Sequence, residues 1–257
     1  MKSKLHYSLF LLGLLLFFTI GSFMACAQVL SKNQITTANS VGNGYSISLE
    51  PFVIGGFTGL QSFAAGQLDG KWLLIGGRTD GLHRMQPFAS FAESGNNTNI
   101  VVIDPEAKQI WSSKVSDLPP ALNEQLQSTN MQFIQRGKTL YLIGGYGYSR
   151  TTGNHVTHNK LTAVKVDCLI LAVQKGTSIA PCFRQISDPA FAVTGGQIGR
   201  IGETYYLVGG QKFDGRYNPM GPDHGPGFSQ QYSNQIRKFR IKDDGVSLVG
   251  EILPGVT

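Results

Sequence analysis

Three short apolar runs, each closed by a pair of glycines, recur along the chain. They cover residues 71–77, 139–145 and 204–210, with the sequences KWLLIGG, TLYLIGG and TYYLVGG. The glycine pairs are 68 and 65 residues apart. Similar units at a nearly fixed spacing are typical of repeat architectures. Side chains at alternate positions of these runs, such as Trp72 and Val208, are expected to be buried on both sides of inner strands.

Each run has the same neighbours. A β-rich segment and a tight polar turn precede it, as at Asp69-Gly70, and Asp-Gly between two such segments favours a hairpin. A long polar segment follows, and then two more β-rich segments, the second of which ends near a proline. The pattern predicts an all-β chain of three units with four antiparallel strands each, at about 61–120, 129–190 and 194–257.

This arrangement resembles a kelch-type β-propeller over residues 45–257. The marks of the resemblance are the three glycine pairs, an aromatic residue before two of them (Tyr141 and Tyr206), and Trp111 after Asp104 in the first unit. The units exceed the roughly 50 residues of a kelch repeat. The resemblance implies a propeller built from four-stranded antiparallel blades, of which this chain contains about three.

Residues 45–51 resemble the predicted fourth strands in their alternation and in their closing proline, Pro51. In propellers, a lone fourth strand at the start closes the ring by joining the last blade. Three blades are fewer than the typical four to eight. We therefore expect a partial propeller: either this chain is a fragment of a longer protein, or two copies complete a ring.

The first 27 residues predict export. Lys2 and Lys4 precede an apolar run at 9–20, and Ala25-Cys26-Ala27 forms a small-x-small cleavage pattern. These features are typical of a secretory signal peptide over 1–27, with 28–44 as a linker. The mature protein would be periplasmic, secreted or at the cell surface. The competing interpretations are lipidation of Cys26 and an uncleaved anchor; the mature protein would have a membrane as a partner if Cys26 is lipidated.

Composition narrows the class of function. Charged residues make up only 15% of the chain and glycine contributes 32 residues, so a turn-rich folded protein is favoured over disorder. Removing Lys2 and Lys4 with the signal peptide lowers the net charge from +6 to +4. No dense basic stripe accompanies that charge, so nucleic acid is not an expected partner.

The long segments between second and third strands should emerge together on one face of the propeller. Binding residues concentrate in such loops. Arginine can bind carboxylates or sulfates, and tyrosine combines an apolar face with a polar tip. The candidate ligand-binding residues are Arg78, His83, Arg84, Tyr146, Tyr148, Arg150, His155, Arg216 and Tyr217. They predict a binding module for a glycan or a protein, with no cofactor and no metal.

An enzyme is the alternative function. The resemblance includes exported propellers that are sialic acid mutarotases or epimerases, and such activity would need an acid or base in the same loops. Arg84, Arg216, His83 and His155 are the only suggestions for it, and no catalytic residue is assigned.

Cys168 and Cys182 are the two cysteines of the predicted mature chain, and they would close a loop of 15 residues. Export permits a disulfide between them, but two buried free thiols are the favoured interpretation. The apolar run at 168–173 is compatible with either a helix or a strand.

Overall fold

The computed structural model describes residues 47–81, 89–218 and 228–256. The predicted signal peptide at 1–27 and linker at 28–44 lie outside these ranges. The chain divides into two units, Met1–Val53 and Ile54–Thr257. In the first unit, residues 47–53 are exposed and belong to no helix or strand. Since 45 and 46 are outside the described residues, the ring-closing strand at 45–51 stays a prediction.

Three four-stranded antiparallel sheets follow one another along the second unit. Blade 1 consists of β1 (Ala64–Leu68), β2 (Lys71–Ile75), β3 (Asn99–Asp104) and β4 (Gln109–Lys114). Helix α1 (Pro120–Leu126) leads to blade 2, which consists of β5 (Gln132–Arg136), β6 (Thr139–Ile143), β9 (Lys160–Lys165) and β10 (Phe183–Ser187). Blade 3 consists of β11 (Gln197–Ile201), β12 (Thr204–Val208), β15 (Ile236–Asp243) and β16 (Leu248–Val256). The predicted all-β class and the three four-stranded units are confirmed.

A fourth sheet was not anticipated from the sequence. The long segments of blades 2 and 3 form hairpins: β7 (Tyr146–Ser149) with β8 (Asn154–Thr157), and β13 (Gln211–Asp214) with β14 (Ser229–Tyr232). The hairpins join through β8 and β13, where Asp214 pairs with Val156 and the Thr157 hydroxyl donates to the Phe213 carbonyl at 3.1 Å. We call this sheet the cap sheet. Much of the predicted loop face is therefore regular structure.

The blades stack through alternate faces of their strands. On one side of blade 2, Leu140 belongs to the same buried cluster as Leu73 of blade 1. On the other side, Tyr141 packs against Tyr205 of blade 3, with ring centroids 6.0 Å apart. The first strands of the blades lie side by side, since β5 contacts both β1 and β11. This stacking about adjacent first strands is the arrangement of propeller blades.

The glycine pair at the end of β6 is required by the neighbouring backbone. Gly144 has φ +65°, and a Cβ atom there would collide with the carbonyl oxygen of Val193. The amide of Gly145 donates to that same carbonyl at 2.9 Å. The glycines at the end of β6 thus let this strand approach the connection into blade 3.

Two of the alternate positions expected to be buried, Trp72 and Val208, are exposed. Trp72 is 41% exposed and Val208 is 48% exposed. Each projects from the face of its blade opposite the one that contacts blade 2, whereas Leu73 and Leu207 on the other faces are fully buried. Side chains alternate between two faces of a strand, and within the described ranges only one face of blades 1 and 3 meets another blade.

The apolar run at 168–173 is helical. Helix α2 (Val166–Lys175) is inserted between β9 and β10, and it buries Val166 and Leu169 against strands of blade 1. Gly176, at φ +64°, ends the helix.

A disulfide joins Cys168 to Cys182, so the free-thiol alternative is not the one that the structure adopts. Neither helix in the described part of the chain is long and apolar enough to cross a membrane.

Candidate functional site

Arg78 is buried and fully engaged. It is 4% exposed and binds both carboxylate oxygens of Asp80, at 2.8 and 2.6 Å. It also donates to Asn96 Oδ1 and to the Ala92 carbonyl, both at 3.0 Å, and its guanidinium lies 5.3 Å from the ring centroid of Phe91. These bonds fix the segment between β2 and β3, which gives Arg78 a structural role, and its predicted contact with a ligand stays a prediction.

Tyr146 and His155 lie in an aromatic core beneath the cap sheet. The Tyr146 hydroxyl donates to the Gly215 carbonyl and accepts from the Tyr217 amide, both at 2.7 Å, and burial raises its pKa. His155 Nε2 lies 3.0 Å from the Phe91 carbonyl, and burial lowers the pKa of this imidazole. Tyr146 is 2% exposed and His155 is 3% exposed, so both predicted binding residues are buried. They hold together the long segments of all three blades.

The other predicted ligand-binding residues lie in different parts of the chain. His83 and Arg84 lie outside the described residues. Arg216 is exposed and Tyr217 is half-buried, and both follow β13. Tyr148, on β7, and Arg150, just after it, line a cleft between the cap sheet and blade 1. Of the seven predicted residues that the structure describes, these last two are brought together around one cleft.

Two adjacent clefts open along the cap sheet. The first has a volume of about 570 Å³ and is lined by residues including Glu93, Asn96, Asn123, Gln127, Tyr148 and Arg150. The second has a volume of about 470 Å³ and is lined by residues including Ser149, Thr152, His158, Lys160, Lys212 and Asp214. Glu124 and Thr151 line both clefts. We call the two clefts together the Glu124 groove.

Glu124 is held rigidly at the centre of this groove. One carboxylate oxygen accepts from the Thr151 amide at 2.9 Å and from its hydroxyl at 2.6 Å, and the other accepts from the Ser149 hydroxyl at 2.8 Å. Burial acts to raise the pKa of Glu124, but these hydrogen bonds outweigh it and the pKa is lowered. The carboxylate is therefore ionised at neutral pH. Sequence reasoning missed it because Glu124 lies in α1, a connection between units that carries no motif.

His158 lies beside Glu124 and is neutral. It is 5% exposed, and its Nε2 atom has no hydrogen-bond partner among the described residues. Burial lowers the pKa of His158 to about 4; the charge of Glu124 acts in the opposite direction, and that of Lys160 reinforces the lowering. A neutral imidazole and an ionised carboxylate thus lie together at the second cleft.

We expect the free energy of unfolding to fall by about 2 kcal/mol between pH 7 and pH 5 because of His158. The folded protein lowers this pKa to about 4, whereas the unfolded chain titrates near 6.5. The unfolded state therefore binds more protons in this window, so stability is full above about pH 6.5 and is lost as pH falls toward 4. Urea unfolding at several pH values measures the effect.

The matched variants are His158→Gln and His155→Gln. The first should flatten the dependence of the free energy of unfolding on pH between pH 7 and pH 5. The second should flatten it less, since the hydrogen bond from His155 to the Phe91 carbonyl opposes the lowering of its pKa by burial. An unchanged slope in His158→Gln would show that other groups cause the loss.

Metal ligands do not converge in this region. Among the residues that the structure describes, no group of three or more His, Cys, Asp or Glu side chains could hold a metal ion. The groove is instead lined by hydroxyl, amide and singly placed charged groups. These groups can donate and accept hydrogen bonds.

The described architecture is three blades of a β-propeller with a groove beneath a cap sheet. No protein-family model matches the chain, and no curated protein matches it. Among solved structures it is similar to the structure of YjhT, with a TM-score of 0.42 and 13% sequence identity. That match covers 76% of this chain and 56% of the other, so the chain spans little more than half of that protein's length. The assignment to a propeller rests on the four-stranded sheets and their stacking.

Proposed function

We propose that this chain is an exported, kelch-type propeller module that binds a glycan in the Glu124 groove. The observation that carries the proposal is the ionised carboxylate of Glu124, fixed by Ser149 and Thr151 between two adjoining clefts. The carboxylate already accepts three hydrogen bonds, so the oxygen that Ser149 binds has one acceptor site left, and it can accept from a sugar hydroxyl without first losing conformational freedom. The Cys168–Cys182 disulfide supports the export part of the proposal, because such bonds persist in oxidising compartments.

The rest of the groove suits a saccharide. Asn123 and Gln127 offer amides on one side of Glu124, and Tyr148 places a half-buried ring beside them. Amides hydrogen-bond hydroxyls as donors and acceptors, and a tyrosine ring supplies an apolar surface with a polar tip. Two adjoining clefts of this kind would bind neighbouring sugar units of one oligosaccharide.

A glycan fits better than a folded protein. Clefts of about 470 and 570 Å³ fall within the range of small-molecule pockets, which is about 300–1,000 Å³. A stable protein interface instead buries about 800 Å² on each partner. The concave, polar groove therefore favours an oligosaccharide that lies along it.

Replacing Glu124 with glutamine is expected to weaken glycan binding at least tenfold. Hydrogen bonds to a charged group contribute roughly 1.5–3 kcal/mol, and tenfold corresponds to about 1.4 kcal/mol. A glycan array would identify the ligand, and calorimetry would then compare the wild type with Glu124→Gln and Tyr148→Ala. Glu106→Gln, an exposed carboxylate in the β3–β4 turn, is the matched control. Equal affinity in Glu106→Gln and Glu124→Gln would contradict the proposed site.

One observation favours a sugar-processing enzyme as the second candidate function. Paired titratable groups with displaced pKa values can divide acid and base roles, and Glu124 and His158 form such a pair at the second cleft. Exchange between sugar anomers, followed by NMR, separates the two functions. Binding with an unchanged exchange rate supports the binding module, whereas acceleration that His158→Gln abolishes supports the enzyme.

A further inference from the structure

A second polar cavity lies at the opposite end of β6 from the Glu124 groove. It occupies the seam between blades 2 and 3 and has a volume of about 330 Å³. Its lining residues are Arg136, Thr139, Tyr141, Lys165, Arg184, Asp243 and Gly245. Five of these seven come from blade 2, and together they represent all four of its strands.

The strand register explains why cations gather there. Thr139 pairs with Arg136 on one side and with Lys165 on the other. In the next row, Ala163 pairs with Tyr141 and with Arg184. Directly opposed residues project from the same face of a sheet. Tyr141 packs toward blade 3, so all three cations project from the face of blade 2 that meets blade 3.

Two of the three cations are neutralised by blade 3. Arg184 donates to both oxygens of Asp243, at 3.0 and 2.7 Å, and these side chains are only 10% and 5% exposed. The Tyr141 hydroxyl and the Gly245 amide also donate to Asp243, at 3.3 and 3.0 Å. Arg136 binds Glu203 through two hydrogen bonds of 2.9 and 3.2 Å.

Lys165 is the cation without a counter-ion. Within the described ranges it has no ion pair and no side-chain hydrogen bond, and Glu203, which binds Arg136, also pairs with Arg200. The lining of the cavity therefore carries three cations and one carboxylate, and that carboxylate already accepts four hydrogen bonds. The seam has an excess of donors and positive charge.

We propose that this cavity binds a small oxyanion, a sulfate or phosphate group, with Lys165 as its main charge partner and Arg136 and Arg184 beside it. A volume of about 330 Å³ holds more than the anion alone. The ligand is therefore either the free ion or a saccharide that carries the anion as a sulfate ester. The site is independent of the Glu124 groove, and variants of one should leave binding at the other unchanged.

The test is calorimetric titration of the full chain with sodium sulfate, sodium phosphate and a monosaccharide sulfate at constant ionic strength. Saturable binding is expected in the wild type and should weaken at least tenfold in Lys165→Met and in Lys165→Gln. Lys114→Met, an exposed lysine on β4 of blade 1, is the matched control and should bind as the wild type does. Tighter binding of the ester than of inorganic sulfate would identify a sulfated saccharide as the source, and the reverse would identify the free ion.

Thermal unfolding gives a second measurement. Sulfate stabilises proteins in general by exclusion from their surfaces, so only the difference between variants is informative. The sulfate-induced rise in melting temperature should be larger in the wild type and in Lys114→Met than in Lys165→Met. Absence of saturable heat in the wild type, or equal affinity in both lysine variants, would overturn the proposal.

Discussion

Replacing Arg78 with alanine is expected to lower the free energy of unfolding by about 3 kcal/mol. Removing one partner of a buried ion pair costs about 3–5 kcal/mol. The lower end applies here because the Asp80 side chain is 33% exposed. The substitution also removes the hydrogen bonds to Asn96 and to the Ala92 carbonyl. Urea unfolding of the purified variant measures the loss.

Arg150→Ala is the matched control. Both arginines lie in a long segment after a glycine pair. Arg150, however, is 82% exposed, and among the described residues its ion-pair partner is Glu93, at 3.1 Å. Exposed ion pairs contribute at most about 1 kcal/mol, so this variant should unfold nearly as the wild type does. Similar losses in the two variants would show that the bonds of Arg78 do not stabilise the fold.

The same variant connects stability to the proposed function. The Arg78 side chain orders the segment that carries Asn96 and Glu93, which line the first cleft of the Glu124 groove. Arg78→Ala should therefore also weaken glycan binding, although its own side chain lies beneath the surface. Arg150→Ala should change affinity with no loss of stability, because Arg150 lines the same cleft directly.

The two arginines show where sequence reasoning succeeds and where it fails. The three blades were predictable, because strand alternation and the glycine pairs are local signals that recur. Whether Arg78 or Arg150 is buried depends on contacts with residues 14 or more positions away, such as Ala92 and Asn96. No local pattern records those contacts. The sequence around Arg78 and the sequence around Arg150 therefore do not indicate which of the two side chains is buried.

The cap sheet was missed for a similar reason. Each of its four strands has only four residues, too few for alternation to distinguish a strand from a loop. The pairing that joins its halves links Thr157 to Phe213, which are 56 residues apart and belong to different blades. Only the stacking of blades 2 and 3 brings those hairpins together, and with them the groove around Glu124.

Breaking the Cys168–Cys182 disulfide is expected to lower the free energy of unfolding by about 3 kcal/mol. The chain-entropy relation gives that value for a closed loop of about 15 residues, and the two cysteines are 14 positions apart. Unfolding of the wild type with and without dithiothreitol, and of a Cys168→Ser/Cys182→Ser double variant, measures the loss. Reductant should leave the double variant unchanged, which separates the disulfide from other effects of the reagent.

The position of the disulfide indicates which part of the fold should loosen. It ties α2 to the residue before β10, and α2 buries Val166 and Leu169 against blade 1 although it is an insertion in blade 2. The helix thus connects two blades, and the disulfide limits its separation from the sheet. Amide hydrogen exchange should accelerate first in α2 on reduction, while β6 at the centre of blade 2 stays protected. Uniform acceleration through both elements would show that the disulfide acts on the unfolded chain alone and not on this connection between blades.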